Sequence, residues 1–321
     1  GDTSDLWPYF SLLLSRSYQF PSNLGYQGSP RAPMALLRER RGGLMGTLRA
    51  LSLHLRQQLT WKRLLPIGLY LLLYSLIIIL PYRRLATQYQ ETYPLSIIAV
   101  LMGSYWYVAI VMVGAIIFFS VLPFRNSFQF WLVLKLGYVR WIVSQVLYVV
   151  VSSTVFVAFN VGLIWALIQP HLNWNLNSWG RLLNALAQGR VTSTEYLEGA
   201  AHEVAFQYYT PRAALIQTLL LFWLLVILLG LIILTFNQLA QNLGLMVACG
   251  LVVESVFFSL ASGHWIYYLS PLNWLSIYQI KYEPHSGLPS LENVCLRLAV
   301  LYIILMGILA FRLKTRKVRV K

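Results

Sequence analysis

The stretch AALIQTLLLFWLLVILLGLIILTF, residues Ala213–Phe236, runs for 24 positions without a charged side chain. A span of roughly 20 apolar residues crosses the hydrocarbon layer as a helix, because lipid offers no partner for unpaired backbone groups. Trp61–Pro81, Ser96–Val121, Val139–Ile168, Leu243–Ser262 and Val294–Phe311 share that character. The expected fold is an all-α polytopic membrane protein with six transmembrane helices over residues 61–312.

Composition agrees. The chain is 58% apolar and 11% charged, where an ordinary soluble domain is about 25% charged. Its net charge of +15 would suit nucleic acid, but the distribution points elsewhere. If the first span runs outward, one side holds Arg31, Arg38, Arg40, Arg41, Arg49, Arg56, Lys62 and Arg63. That side also holds Arg125, Lys135 and Arg140, then Arg312, Lys314, Arg316, Lys317, Arg319 and Lys321 in the basic tail at 313–321. The opposite side sets Arg83, Arg84, Arg181, Arg190, Arg212, Lys281 and Arg297 against Glu91, Glu195, Glu198, Glu203, Glu283 and Glu292. The positive-inside rule makes the basic face cytoplasmic. Six crossings then put both termini inside, in a plasma-membrane protein. Anionic lipid headgroups are the expected contact for this charge, and nucleic acid is not an expected partner.

Cys249 and Cys295 form neither a disulfide framework nor a metal motif and read as small packing residues. Residues 1–33 show no signal-peptide pattern, since the Phe10–Leu14 run is short and lacks a basic region before it. No role is assigned to them. Over residues 34–60, Leu37, Leu44, Leu48, Leu51, Leu55 and Leu59 recur at helical spacing, with Arg40, Arg41, Arg49 and Arg56 elsewhere around the wheel. The pattern predicts an interfacial amphipathic helix, apolar side down and basic side toward lipid. Gly42, Gly43 and Gly46 weaken its first half, so Thr47–Thr60 is the firmest part. It reads as a membrane-surface anchor, a docking surface for a cytoplasmic partner, or both.

Between spans two and three lies LPFRNSFQFWLVLKLG, Leu122–Gly137, followed by Tyr138, Val139, Arg140 and Trp141. Pro123 suits a first helical turn and Gly137 a helix end. Phe124, Phe128, Trp131 and Leu132 follow i, i+4, i+7, i+8 spacing, with Arg125 and Lys135 beside them. Such a helix either lies on the membrane or plugs its aromatic face into a groove on a soluble partner.

The arrangement resembles the transmembrane subunit of ATP-binding-cassette type-2 exporters. The likeness rests on a basic helix before span one, six spans with both ends inside, a short helix between spans two and three with a basic–aromatic lead-in to the third, and a structured outer segment before span six. It covers about Thr47 to Lys317. The outer loop Gln169–Arg212 is longer than the common pattern. The resemblance implies a coupling helix at 122–137, with Phe124, Arg125, Phe128, Trp131, Leu132 and Lys135 meeting an ATPase subunit. It also implies a second permease half, alike or related. No GxxxxGK[ST] phosphate loop occurs in the chain. The chain is therefore expected to bind no cofactor and to be no enzyme itself, with ATP and Mg on the partner.

Two outer segments are expected to be ordered. In residues 169–212, Trp179–Ala187 repeats leucines, and Thr192 with Glu195 forms a capping box that opens a helix to about Tyr208, which Pro211 stops. This segment is either a packed lid or a substrate-contact surface. His202–Glu203 opens like a zinc-protease helix, but Phe206 stands where the second histidine belongs. In residues 263–293, Trp265, Tyr267, Tyr268, Trp274, Tyr278 and Tyr282 cluster among proline breaks. They read as a plain aromatic belt or, as the resemblance implies, re-entrant helices that gate exit, with Trp265, Tyr268, Trp274 and Tyr278 at the outer gate.

Glu254 lies in the middle of span five. A carboxylate there costs on the order of 3 kcal/mol, so it should face a pathway or a partner rather than lipid. Gly250, one turn earlier, would let a neighbouring helix approach. Glu254 is a gate or path residue, a link between permease halves, or one end of a bond to Asn160, Ser152 or Ser153. Ser104, Tyr105, Tyr107 and Asn160 are the other candidates for the translocation path. Asn237, Gln238, Gln241 and Asn242 read as turn and cap chemistry between spans four and five.

Two other classes fit less well. A stand-alone channel or ion-coupled transporter usually shows repeated halves, and Trp61–Ile168 does not repeat in Ala213–Phe311. An intramembrane enzyme needs a nucleophile with a base, or clustered ligands, at depth. Here there is one deep Glu, and His264 and His285 lie outside the spans.

Overall fold

The computed structural model describes residues 44–58, 60–124, 127–191, 203–260, 270–277, 280 and 289–319, with the side chains of 44, 45, 57, 105, 127–131, 259, 260 and 313–319 outside that description. Its long helices are α2 (Trp61–Tyr89), α6 (Tyr138–Ile168), α9 (Pro211–Leu239) and α11 (Leu291–Arg319), preceded by α1 (Leu44–Gln58). Shorter helices are α3 (Ile97–Met102), α4 (Tyr105–Phe119), α5 (Ser127–Leu136), α7 (Gly180–Ala187), α8 (Glu203–Tyr208) and α10 (Leu243–Leu260). Among the described residues, four helices are long and apolar enough to cross a membrane: α2, α6, α9 and the Leu291–Arg312 part of α11. The chain is thus an all-α membrane protein. The apolar helices α4 and α10 are shorter; the 18 residues of α10 rise about 27 Å.

α9 is the central element. It packs against α3, α4, α6, α10 and α11, and most of its residues from Leu221 to Thr235 are buried. α2 and α11 are peripheral, with Ile77, Leu296 and Ile303 exposed on apolar faces that suit lipid. A glycine allows one close crossing: a Cβ on Gly230 would lie 2.6 Å from Val149 Cγ1 and 3.4 Å from the Phe119 ring. Helices α4, α6 and α9 therefore meet where α9 has no side chain.

The first and second expected spans differ from the helices observed. The first continues past Pro81 to Tyr89. Proline removes one ladder bond, but Tyr82, Leu85 and Ala86 beyond it are buried, and the Tyr93 hydroxyl donates to the Tyr82 carbonyl at 3.0 Å. The helix ends at Gln90, whose φ is 50°. The second span is two helices, α3 and α4, broken at Gly103–Ser104. A Cβ on Gly103 would meet the Ala99 carbonyl oxygen at 2.9 Å and Ser276 Cα at 3.3 Å. Backbone from a remote part of the chain crosses there, which periodicity cannot reveal.

At the end of the bundle remote from α5, the two-residue strands β1 (Tyr93–Pro94) and β2 (Leu172–Asn173) pair in parallel. α7 buries Leu182, Leu183 and Leu186. Trp179 Nε1 donates to the Tyr209 carbonyl at 3.0 Å, and its ring lies 4.5 Å from Phe206. The described parts of the long connection thus form a packed cap. The proposed Thr192–Glu195 box lies outside the described residues. α8 ends at Tyr208, as expected ahead of Pro211, and Pro211 also opens α9, where its missing N–H does no harm. Thr210 Oγ1 caps that start, accepting from Ala213 N at 3.3 Å.

The Gly230 crossing generates a test. Gly230→Ala should cost about 1–3 kcal/mol through overpacking and lower the thermal midpoint in detergent. Val149→Ala in the same chain should restore part of that loss, because the colliding atom belongs to Val149. An undiminished midpoint for the single variant would contradict the packing.

Candidate functional site

The candidate site is the junction around α5. A glycine of positive φ, Gly137 at 82°, ends α5 and turns the chain into α6, as expected. The start differs. The helix begins at Ser127, so Pro123 and Phe124 precede it. Phe124 is 5% exposed; its ring stacks on His54 at 4.7 Å and meets Tyr148 edge-on at 5.1 Å. Leu132 is buried with Ala50 of α1 and with Trp141 and Ile142 of α6. The expected docking face of Phe124, Phe128, Trp131 and Leu132 is therefore corrected in two positions. Phe124 and Leu132 hold the segment to this chain's own α1 and α6. Lys135 and Leu134 are exposed. Arg125 and the side chains of Phe128 and Trp131 lie outside the described residues.

His54 explains why α1 is fixed here. It is fully buried, and its Nε2 lies 3.1 Å from Ser144 Oγ. Ser144 donates its own hydrogen to the Trp141 carbonyl at 2.7 Å. The hydroxyl oxygen is then the acceptor, and His54 carries its proton on Nε2, an assignment made from the network. Burial pushes the imidazole pKa down to about 4, because the charged form would lose its water.

Three further side chains clasp the same region. Arg63 of α2 donates to the carbonyls of Ile117 at 3.4 Å and Phe118 at 3.3 Å. It also reaches Ser120 Oγ at 3.3 Å and the Gln58 side-chain oxygen. The last carbonyls of a helix lack partners within it and carry partial negative charge, so a guanidinium suits them. Asn237 Nδ2 donates to the Leu122 carbonyl at 2.7 Å, while its Oδ1 accepts from Gly244 N at 2.7 Å. Tyr138 donates to Gln238 Oε1 at 3.2 Å and stacks on Trp141 at 5.5 Å. Sequence reading missed His54 and Arg63, and saw in Asn237 turn and cap chemistry, which its bond to Gly244 N fits, but not its bond to Leu122. The available signal was a histidine three positions from Leu51 and next to Leu55, on the apolar side of α1.

The expected path residues separate. Tyr107 and Asn160 do meet: the tyrosine hydroxyl donates to Asn160 Oδ1 at 3.4 Å, and Asn160 Nδ2 donates to the Phe156 carbonyl at 2.8 Å. Ser104 is buried at the α3–α4 break. The Tyr105 side chain is outside the description. Glu254 is partly buried, and its Oε2 has no hydrogen-bond partner among the described residues. The same holds for the Ser152 and Ser153 hydroxyls, so the bond from Glu254 to Asn160, Ser152 or Ser153 does not form. Gly250 has no atom within 4 Å of the place a Cβ would take. The close approach expected there is not made by the described residues.

Trp274 is corrected as well. It lies in a 3-10 helix, Pro271–Leu275, and is 2% exposed, a core residue rather than a gate lining. Asn273 Nδ2 donates to the Ser255 carbonyl at 3.2 Å, so this segment folds back along α10. Trp265, Tyr268 and Tyr278 lie outside the described residues. Among the described residues no group of His, Cys, Asp and Glu could hold a metal ion. No protein-family model, curated protein or solved structure matches this chain.

The buried imidazole sets a pH dependence. Its pKa is lowered from 6.5 to about 4, so the unfolded chain binds the proton first. The stability it contributes is whole above pH 6.5 and is lost as pH falls toward about 4. The wild-type thermal midpoint in detergent should therefore fall more steeply over that window than that of His54→Gln, which keeps a donor for Ser144. Parallel slopes would contradict the assignment.

Proposed function

We propose that this chain is the permease subunit of an ATP-driven exporter of the ATP-binding-cassette type-2 class. Its six crossings would be α2, the α3–α4 pair, α6, α9, α10 with the segment folded back on it, and α11. Both termini would be cytoplasmic, with α1 in the headgroup plane of the plasma membrane. A separate ATPase subunit would bind ATP and Mg, and a second permease half would complete the pathway. Substrate would cross by alternating access.

One observation carries this reading. The helix between the second and third crossings is attached on both sides: Phe124 and Leu132 pack into α1 and α6, while Leu122 and Tyr138 are bonded to the end of α9. A force applied to α5 has rigid contacts through which to reach several long helices. A helix merely resting on lipid has no need of them. Glu254, partly buried with an unpaired Oε2, suits a path or a contact with the other half, because a lipid-facing carboxylate is costly.

The interface would then rest on Phe128, Trp131 and Lys135. Truncating a central aromatic anchor costs about 2 kcal/mol, roughly thirtyfold in affinity. Purification of the tagged wild-type chain from native membranes should bring down an ATP-hydrolysing subunit, and Phe128→Ala with Trp131→Ala should lose most of it. Undiminished capture by the double variant, or no such subunit with the wild type, would overturn the proposal.

A further inference from the structure

Asn237 bonds with one side chain both to the stretch between α4 and α6 and to the first turn of α10. It is 5% exposed, and its amide is used at both ends. Nδ2 donates to the Leu122 carbonyl and Oδ1 accepts the Gly244 N–H, each at 2.7 Å. The geometry around it is tight. A Cβ on Gly244 would lie 2.4 Å from the Ile233 carbonyl oxygen, so α10 starts directly against α9. Asn242 closes the turn with φ 63°, a conformation that asparagine tolerates better than most residues. The next residue, Gln238, accepts from Tyr138 at the other side of α5.

We infer that Asn237 is a positioning residue, a latch through which the α5 segment and the α9–α10 hairpin move as one body. The inference deepens the proposed function, since it rests on α5 being the helix that receives force. Its chemistry needs an amide. Aspartate at neutral pH keeps the acceptor for Gly244 and loses the donor for Leu122. Leucine loses both. Either loss leaves a buried backbone group unpaired, and that group then gains by moving toward water. Without the donor, α5 and α10 would still fold in place, but among the described residues the α5 segment would keep only the Tyr138–Gln238 bond to the hairpin and would move more independently of it.

The test uses the full chain in phospholipid nanodiscs at pH 8, with Cys249→Ser and Cys295→Ser. Spin labels replace Leu134 on α5 and Met246 on α10, which are 56% and 71% exposed. Distances between the labels are read by pulsed electron resonance, and amide exchange is followed at Gly244. The unmodified latch should give a narrow distribution. Asn237→Asp should broaden it about twofold while Gly244 stays protected, and Asn237→Leu should broaden it and speed Gly244 exchange about tenfold, the loss of one hydrogen bond. General destabilisation would move both readouts together in Asn237→Asp, and that outcome overturns the latch. So does an unchanged distribution in either variant. The measurement needs no ATPase, so failure here is distinct from failure to capture one.

Discussion

Backbone carbonyls need partners, and that constraint governs the end of the bundle where α5 sits. The last turn of α4 leaves carbonyls without partners, as every helix end does. Arg63 reaches two of them from α2, and Asn237 takes the Leu122 carbonyl just beyond. Each side chain comes from a different helix. Satisfying the backbone of one segment therefore fixes several helices relative to it. Apolar contact alone would hold these elements together but would let them slide, because dispersion has little direction. The polar bonds set register, and the rings of His54, Phe124 and Tyr148 fill the space between them.

The same constraint explains what could be read from the sequence. Immersion in lipid imposes one chemistry on some twenty consecutive residues, so the starts of α6 and α10 fall within one residue of expectation, at Tyr138 and Leu243. Gly137 marked the end of α5 because only its own backbone angle was at issue. The misplaced features depend on partners outside the helix in question. The break at Gly103 is set by Ser276, the extension past Pro81 by Tyr93, and the burial of Phe124 by His54. Helical spacing made Phe124 part of an amphipathic face, although α5 begins only at Ser127. Aromatic periodicity does not distinguish a ring turned toward a partner from one turned toward the chain's own core.

Trp274 and Glu254 show the converse. Both were singled out by residue type and depth. The tryptophan is core, held in a short 3-10 helix against α10 by its neighbour Asn273. The carboxylate Oε2 has no partner within the described residues, and Gly250 one turn away faces open space. Buried polar groups are nearly always paired in folded proteins, so among the described residues this face of α10 is one place where the bundle is incomplete by itself. The cap made by α7, α8 and the β1–β2 pair is the reverse case. Trp179, Phe206 and the leucines of α7 satisfy one another locally. The proposed exporter has one self-contained end and one end built to be engaged.

A density map of the assembly purified from native membranes tests that account most directly. It should show a soluble nucleotide-binding subunit seated on Ser127–Leu136, with Asn237 still bridging Leu122 and Gly244 behind it. A map in which that helix lies on the external side of the membrane, or meets lipid alone, would contradict it.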